Sequence, residues 1–310
     1  MRNACFVLAC WAALAPLRAS AEPPVTAVVS PTAGGAEPGE HAAVLHLARP
    51  RKWDKPALGA SASGSPELLF TFDDGPSGST DVLLDTLLAH DVKAVFFMVG
   101  WRISAGRDTP RVRAIIARMA AEGHAIGNHT STHMQLCLRS NAGAISNEID
   151  GAARLLASLS GMPAVLFRTP YGSRCRQLEE ALHSRGLRHL HWDIDPQEWR
   201  THDPHVVELK LIEAIGRMRD DERAVILTHD THVVTARALA GVLDWIAVEN
   251  GRRRLAGRHE IKILTPADVA LEQLSPGVDA ALEAAESLLP DLQRRFVGPL
   301  TRRAGDQASL

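Results

Sequence analysis

The chain has 310 residues, nearly half of them apolar, and a formal charge of −2 with no long block of one sign. That is enough material for one large domain or two smaller ones, and it argues against nucleic acid or an anionic membrane as the main partner. No segment reaches the roughly 18–20 uninterrupted apolar residues of a membrane span.

The first 21 residues read as a secretory signal peptide: Arg2, a mostly apolar run over residues 4–17, then the small-x-small site Ala19-Ser20-Ala21. The mature chain is therefore expected to be exported, periplasmic or extracellular, and it keeps two of the four cysteines, Cys137 and Cys175. A lipoprotein reading at Cys10 is weaker, because the apolar run before it is short. Residues 22–65, rich in Pro, Gly, Ala and Ser, read as a flexible lead with one short strand near 43–47.

A regular alternation of strand and helix patterns then runs over 66–271. Strands are expected at 67–72, 93–99, 125–128, 165–168, 188–192, 224–227 and 261–264. Helices are expected at 81–90, 109–122, 145–160, 175–185, 204–219 and 235–250, closed where Gly123, Gly161, Gly186 and Gly251 stand. Such alternation implies a parallel sheet covered by helices. Seven units suit a distorted, incomplete (β/α)7 barrel; an open doubly wound sheet is the alternative, although its Gly-rich nucleotide turn is missing after the first strand. Residues 272–310 read as an amphipathic helix and a polar, disordered tail.

Reactive groups in parallel β/α folds gather where strands end, and here nearly every strand end is unusual. The first ends in Asp73-Asp74-Gly75-Pro76, the third in His129-Thr130-Ser131-Thr132-His133 and the fourth in Arg168-Thr169-Pro170-Tyr171. The fifth runs into Asp195-Pro196-Gln197-Glu198-Trp199, and the sixth ends in Thr228-His229-Asp230. Two adjacent acids point to opposite sides of an extended chain, so one can hold a metal while the other handles a proton. Two His four apart can grip one ion, and with one carboxylate they make a three-ligand divalent-metal site with open positions. Asp74, His129 and His133 are that set. Asp73 is then the natural base, Arg168 holds it ionised, and His229 is the proton donor, oriented by Glu198 or Asp195.

Taken in order, these five motifs resemble the polysaccharide deacetylase family, carbohydrate esterase family 4, whose domain is also known as the chitooligosaccharide deacetylase homology domain. The resemblance spans about residues 67–271. It implies a distorted (β/α) barrel and a divalent metal, commonly zinc, with cobalt or another divalent ion possible. It makes Asp73 the base, Asp74, His129 and His133 the ligands, and His229 the acid. The Tyr171 backbone N–H would bind the oxyanion, while Trp199 and Leu227, with Pro170, would contact the substrate. One departure matters: members of the family usually carry Asp where Glu198 stands. The implied reaction is hydrolysis of N-acetyl groups on N-acetylglucosamine units of a polysaccharide, whether peptidoglycan, a chitin-like chain or an exopolysaccharide, by a monomer. An O-acetyl esterase acting on acetylated xylan is the alternative, and a non-catalytic carbohydrate-binding relative a further one. Cys137 and Cys175 each follow an active-site loop by four residues, and a disulfide between them is expected to tie the metal loop to the oxyanion loop.

Overall fold

Strand β1, Glu67–Asp73, is buried along its whole length, and its alternation sets the architecture. Leu68, Phe70 and Phe72 face the layer of helices, while Leu69, Thr71 and Asp73 face the opposite side of the sheet. The computed structural model describes residues 57–104 and 109–269. The expected signal peptide, most of the expected lead with its strand near 43–47, and the expected C-terminal helix and tail lie outside the described residues.

Six further strands follow: β2 (Val95–Met98), β3 (Ala125–Asn128), β4 (Leu166–Phe167), β5 (Arg188–His189), β6 (Arg223–His229) and β7 (Lys262–Ile263). Every pairing is parallel, in the order β5-β4-β3-β2-β1-β6. β6 follows β1 for seven consecutive positions, from Glu67 opposite Arg223 to Asp73 opposite His229. β7 pairs the lower end of β1, at Glu67 and Leu68, and β2 pairs the upper end from Thr71 to Asp73.

The ring is drawn together beyond β5. Ile194 bridges Ile226 in parallel, and Leu227 N–H donates to the Ile194 carbonyl at 2.9 Å. Asp193 adds two straps, accepting from Ala57 N–H at 3.0 Å and Val225 N–H at 2.9 Å. The sheet thus curls into an incomplete barrel, and the open doubly wound alternative is set aside.

The helices α1 (Thr80–Ala89), α2 (Gly100–Ser104), α3 (Thr109–Ala121), α4 (Ile145–Ser160), α5 (Arg176–His183), α6 (Pro204–Gly216) and α7 (Val233–Leu255) cover the barrel. Asp203 caps α6 by accepting from His205 N–H at 2.9 Å. Gly161 ends α4 in the left-handed conformation. Three expectations change. The short helix α2 carries too little periodicity to show in the sequence. Gly251 does not close α7, which runs on to Leu255 because buried Arg253 is engaged by Glu249, Asp220 and the His259 carbonyl. Residues 57–65, expected as part of a flexible lead, join the fold: Leu58 is buried among Leu69, Val95, Phe97 and Val225.

Three clusters make up the core. The largest joins the helices to the outer face of the sheet, the second fills the barrel, and the third lies beneath the Cys137–Cys175 disulfide, around Leu136, Phe167 and Leu178. Among the described residues no helix is long and apolar enough to cross a membrane.

Candidate active site

The upper ends of the strands converge on a cleft of about 500 Å³. Asp73, Asp74, His129, His133, Thr169, Tyr171, Trp192, Asp195, Trp199, Leu227, His229 and His232 line it. Arg168 and Glu198 sit behind this wall, fully buried. Pro170 is the exception among the expected residues. It is buried in the turn and does not line the cleft; its neighbour Thr169 does.

The turn after β1 separates the two acids. Asp73 keeps the strand conformation, whereas Asp74 takes a φ of 75°. Asp230 packs so tightly behind the turn that a Cβ on Gly75 would overlap its carboxylate, so only glycine fits there. Five of the six non-glycine residues with positive φ lie on the loops of this site: Asp74, Thr130, His133, Tyr171 and Gln197. Strain of this kind persists only where surrounding contacts over-determine the backbone.

Arg168 is at the centre. Its Nη1 donates to Asp73 Oδ1 at 2.8 Å and to Thr71 Oγ1 at 2.6 Å; Nε donates to the Leu190 carbonyl and Nη2 to that of His191. The Phe97 ring lies 4.3 Å beneath the guanidinium. A buried cation with its donors used in this way is a rigid fixture, and it leaves Asp73 Oδ2 turned toward His129 at 3.8 Å.

The histidine pair is aimed by its surroundings. His129 Nδ1 donates to the Arg168 carbonyl at 2.7 Å, which presents Nε2 to the cleft. His129 Nε2 and His133 Nε2 stand 3.3 and 3.0 Å from Asp74 Oδ1, an oxygen that is buried and accepts no hydrogen bond. Burial works against ionised Asp74, but the two imidazoles outweigh it and hold the carboxyl well below the usual range. One ligand atom from each of Asp74, His129 and His133 lies within 4.8 Å of the others. A hard oxygen and two imidazole nitrogens with an orphaned buried acceptor fit a divalent ion of the zinc class and leave coordination positions open.

Across the cleft, one oxygen of Glu198 serves His229 twice. Oε1 accepts from the His229 Nδ1–H at 2.7 Å and from the His229 backbone N–H at 2.6 Å. The longer Glu therefore reaches. Asp195, the other candidate, turns back on its own loop and accepts from Gln197 N–H. Burial disfavours the His229 imidazolium, yet the Glu198 hydrogen bond and charge, with Asp73 and Asp74 beyond, raise its pKa to about 9. Burial also pushes the Asp195 carboxyl up to about 6.

Two supporting carboxylates escaped the sequence reading. Glu148 on α4 is buried and takes Thr132 N–H at 2.8 Å and Thr132 Oγ1–H at 2.9 Å, bracing the loop between His129 and His133. Its signal was visible: a charge at the third position of the apolar stripe Ile145, Ile149, Ala152. Asp230 is buried behind Gly75 and accepts from Thr80 Oγ1 at 2.6 Å. His124, in contrast, is structural, with Nδ1 accepting from Ala94 N–H.

A family profile described as polysaccharide deacetylase matches residues 60–190. The chain is 32% identical over 179 residues to a peptidoglycan-N-acetylglucosamine deacetylase of Listeria monocytogenes, covering 57% of this chain and 35% of that protein. It is 33% identical over 172 residues to a chitooligosaccharide deacetylase of a Bradyrhizobium strain, covering 54% of this chain and 72% of that one. The match thus takes in about a third of the Listeria protein's length. A crystal structure of a polysaccharide deacetylase from Bacillus cereus superposes with a TM-score of 0.53 at 28% identity, covering 64% of this chain and 91% of that one.

Proposed function

The chain belongs to the polysaccharide deacetylase family, and from that premise we propose that it is an exported, monomeric hydrolase removing N-acetyl groups from a glycan containing N-acetylglucosamine. The observation that carries this reading is the pairing of Asp73 with His229 at one register position of β1 and β6. Base and acid candidates share the cleft floor with the Asp74, His129 and His133 group.

Asp74, His129 and His133 would hold the ion, and their donor set suits zinc. Such an ion supplies Lewis acidity, polarising a carbonyl and easing deprotonation of water. Asp73 Oδ2 takes the proton of the attacking water, while Oδ1 stays committed to Arg168. That division fixes which oxygen reacts. The Tyr171 backbone N–H is assigned to the developing oxyanion, its residue held at a φ of 60° on the cleft wall. His229 gives its Nε2 proton to the leaving amine, and Glu198 on Nδ1 stabilises the imidazolium before transfer. Trp199 and Leu227 wall the space for the acetyl methyl group.

The N-acetyl assignment rests on this acid standing protonated at neutral pH. An amine must be protonated to leave, whereas an alkoxide needs less help, and His229 is raised for that task. The test is an acetate-release screen over peptidoglycan, chitooligosaccharides, an acetylated exopolysaccharide and acetylxylan, with and without a chelator. Release from the N-acetylated glycans that stops on chelation and returns with Zn²⁺ is expected. Release from acetylxylan alone would make the enzyme an O-acetyl esterase, and no release from any would make it a binding protein.

A further inference from the structure

Main-chain pairing between β3 and β4 is short. The two strands share a single register pair, Asn128 opposite Phe167, and the last backbone link is Arg168 N–H to the Asn128 carbonyl at 3.0 Å. Beyond that point the chain splits into two loops, each carrying half of the proposed chemistry: His133 on one, Tyr171 on the other. Tyr171 is 68% exposed, so burial does little to hold it.

Side chains take over where the sheet stops. The His133 and Tyr171 rings meet edge to face, 4.8 Å between centroids. Two residues on, Gln135 Nε2 donates to Ser173 Oγ at 3.1 Å. Two further on, Cys137 is joined to Cys175, with Cα atoms 5.6 Å apart. All three pairs share one 38-residue offset at every second position, so the two loops run side by side in the same direction, with His133 and Tyr171 themselves in left-handed turns. Between the rungs, Leu136 is buried with Phe167, Leu178 and Leu182, and Cys137 and Cys175 pack against the same cluster. The rungs are anchored from below by that core.

We propose that these pairs form a three-rung side-chain ladder that continues the β3–β4 edge and positions the Tyr171 backbone against the His133 side of the cleft. Gln135, Ser173, Cys137 and Cys175 are then positioning residues, and the disulfide is the rung that cannot exchange with water. The inference rests on the deacetylase reading only for its kinetic consequence; the geometric consequence stands apart from it.

The experiment uses the full chain with Cys137→Ser and Cys175→Ser combined. The measurements are kcat and KM on tetra-N-acetylchitotetraose, Zn²⁺ affinity by chelator competition, and amide hydrogen exchange. Expected are a fall in kcat of about tenfold to a hundredfold, the scale of a displaced reacting geometry, with KM within about twofold and Zn²⁺ affinity retained. Exchange over residues 171–175 speeds up while that over 129–133 does not. Unchanged kcat and exchange would overturn the proposal, as would Zn²⁺ affinity falling in parallel with kcat, since the bond would then serve the ligands. Should the double variant fail to fold, Gln135→Ala with Ser173→Ala keeps the disulfide and must show the same pattern more weakly. Absence of acetate release by the unaltered protein, here and on peptidoglycan, counts against the deacetylase reading alone, and the exchange data then decide the ladder.

Discussion

Strands β1 and β6 present two facing pairs at their opposite ends, and the pairs are used in opposite ways. At the lower end Glu67 lies across from Arg223 and binds it directly at 2.9 Å, with Ser63 Oγ closing on the same carboxylate at 2.6 Å. At the upper end Asp73 lies across from His229, in the same register, but neither takes the other as its partner. Arg168 comes from just beyond β4 for Asp73, and Glu198 comes from the loop beyond β5 for His229. Charges paired with each other below serve the fold. Above, third parties hold each charge from behind, so Asp73 Oδ2 and His229 Nε2 remain for chemistry. One strand pair is thus a structural joint at one end and, in the mechanism proposed above, a reactive one at the other, and the difference lies in where the partners come from.

The largest expected effects break the upper pair. Asp73→Asn and His229→Ala should each lower kcat for acetate release about a thousandfold, within the range that general acid–base groups supply, while bound Zn²⁺ measured by elemental analysis stays near that of the unaltered protein. Loss of metal in Asp73→Asn would exchange the roles given to Asp73 and Asp74.

Breaking the lower pair should leave kcat unchanged and cost stability instead. Glu67→Gln removes the charge that faces buried Arg223, a loss of about 3–5 kcal/mol for removal of one partner from a buried ion pair. Urea unfolding measures it. Replacing both partners, Glu67→Leu with Arg223→Met, should recover most of that loss. If Glu67→Gln instead lowered kcat with no change in midpoint, the division of labour between the two ends would be wrong.

A smaller change sharpens the upper end. Glu198→Gln keeps the shape and removes the charge that raises His229. The acid form of His229 is then lost at lower pH, so the alkaline limb of kcat/KM should move down by about one pH unit or more, with kcat falling about tenfold. A bound dication shifts both enzymes in the same downward direction, so the comparison between them survives it. An alkaline limb that does not move would mean that another group reports that ionisation.

Most of the upper end was legible because strand-end chemistry is written in short contiguous motifs: Asp73-Asp74, the two His four apart, Arg168 to Tyr171, and His229 all meet as read. The strand lengths were not. β4 and β5 keep two residues each where four and five were expected, since the chain beyond Phe167 and His189 leaves the ladder to carry Arg168 and its acceptor carbonyls. The lower end was invisible. Glu67, Arg223 and Lys262 are ordinary charged residues until the register of β1 with β6 and β7 brings them together. Nor could Pro170 be told from Thr169 as a cleft residue, because a turn conformation decides which of two neighbours faces inward. Partners distant in sequence and unmarked by a motif are what the chain conceals.

Asp230 gives the smaller of the two stability effects and the clearest contrast with Glu67. Both are buried carboxylates beside the β1–β6 pair, but Glu67 has Arg223, whereas Asp230 has only the Thr80 hydroxyl on Oδ2 and no hydrogen bond on Oδ1. Burial raises its pKa to about 7, helped by the nearby charge of Asp74, against the Thr80 hydrogen bond and the pull of His229 and Arg102. A folded-state pKa above the unfolded value of about 4 means that the folded protein binds the extra proton. Its contribution to stability is complete below pH 4 and is lost as pH rises through about 7. Asp230→Asn is neutral throughout and can still accept from Thr80. On chelator-treated protein, the melting temperature of the unaltered chain should therefore fall more between pH 5 and pH 8 than that of Asp230→Asn. The shift is worth about 2–3 kcal/mol across that range, and about 1 kcal/mol moves the midpoint roughly 2–4 °C in a chain of this size, so an excess of several degrees is expected. Equal slopes would mean that Asp230 is ionised at neutral pH, its unsatisfied oxygen facing a cation that the lower end carries in plain view as Arg223.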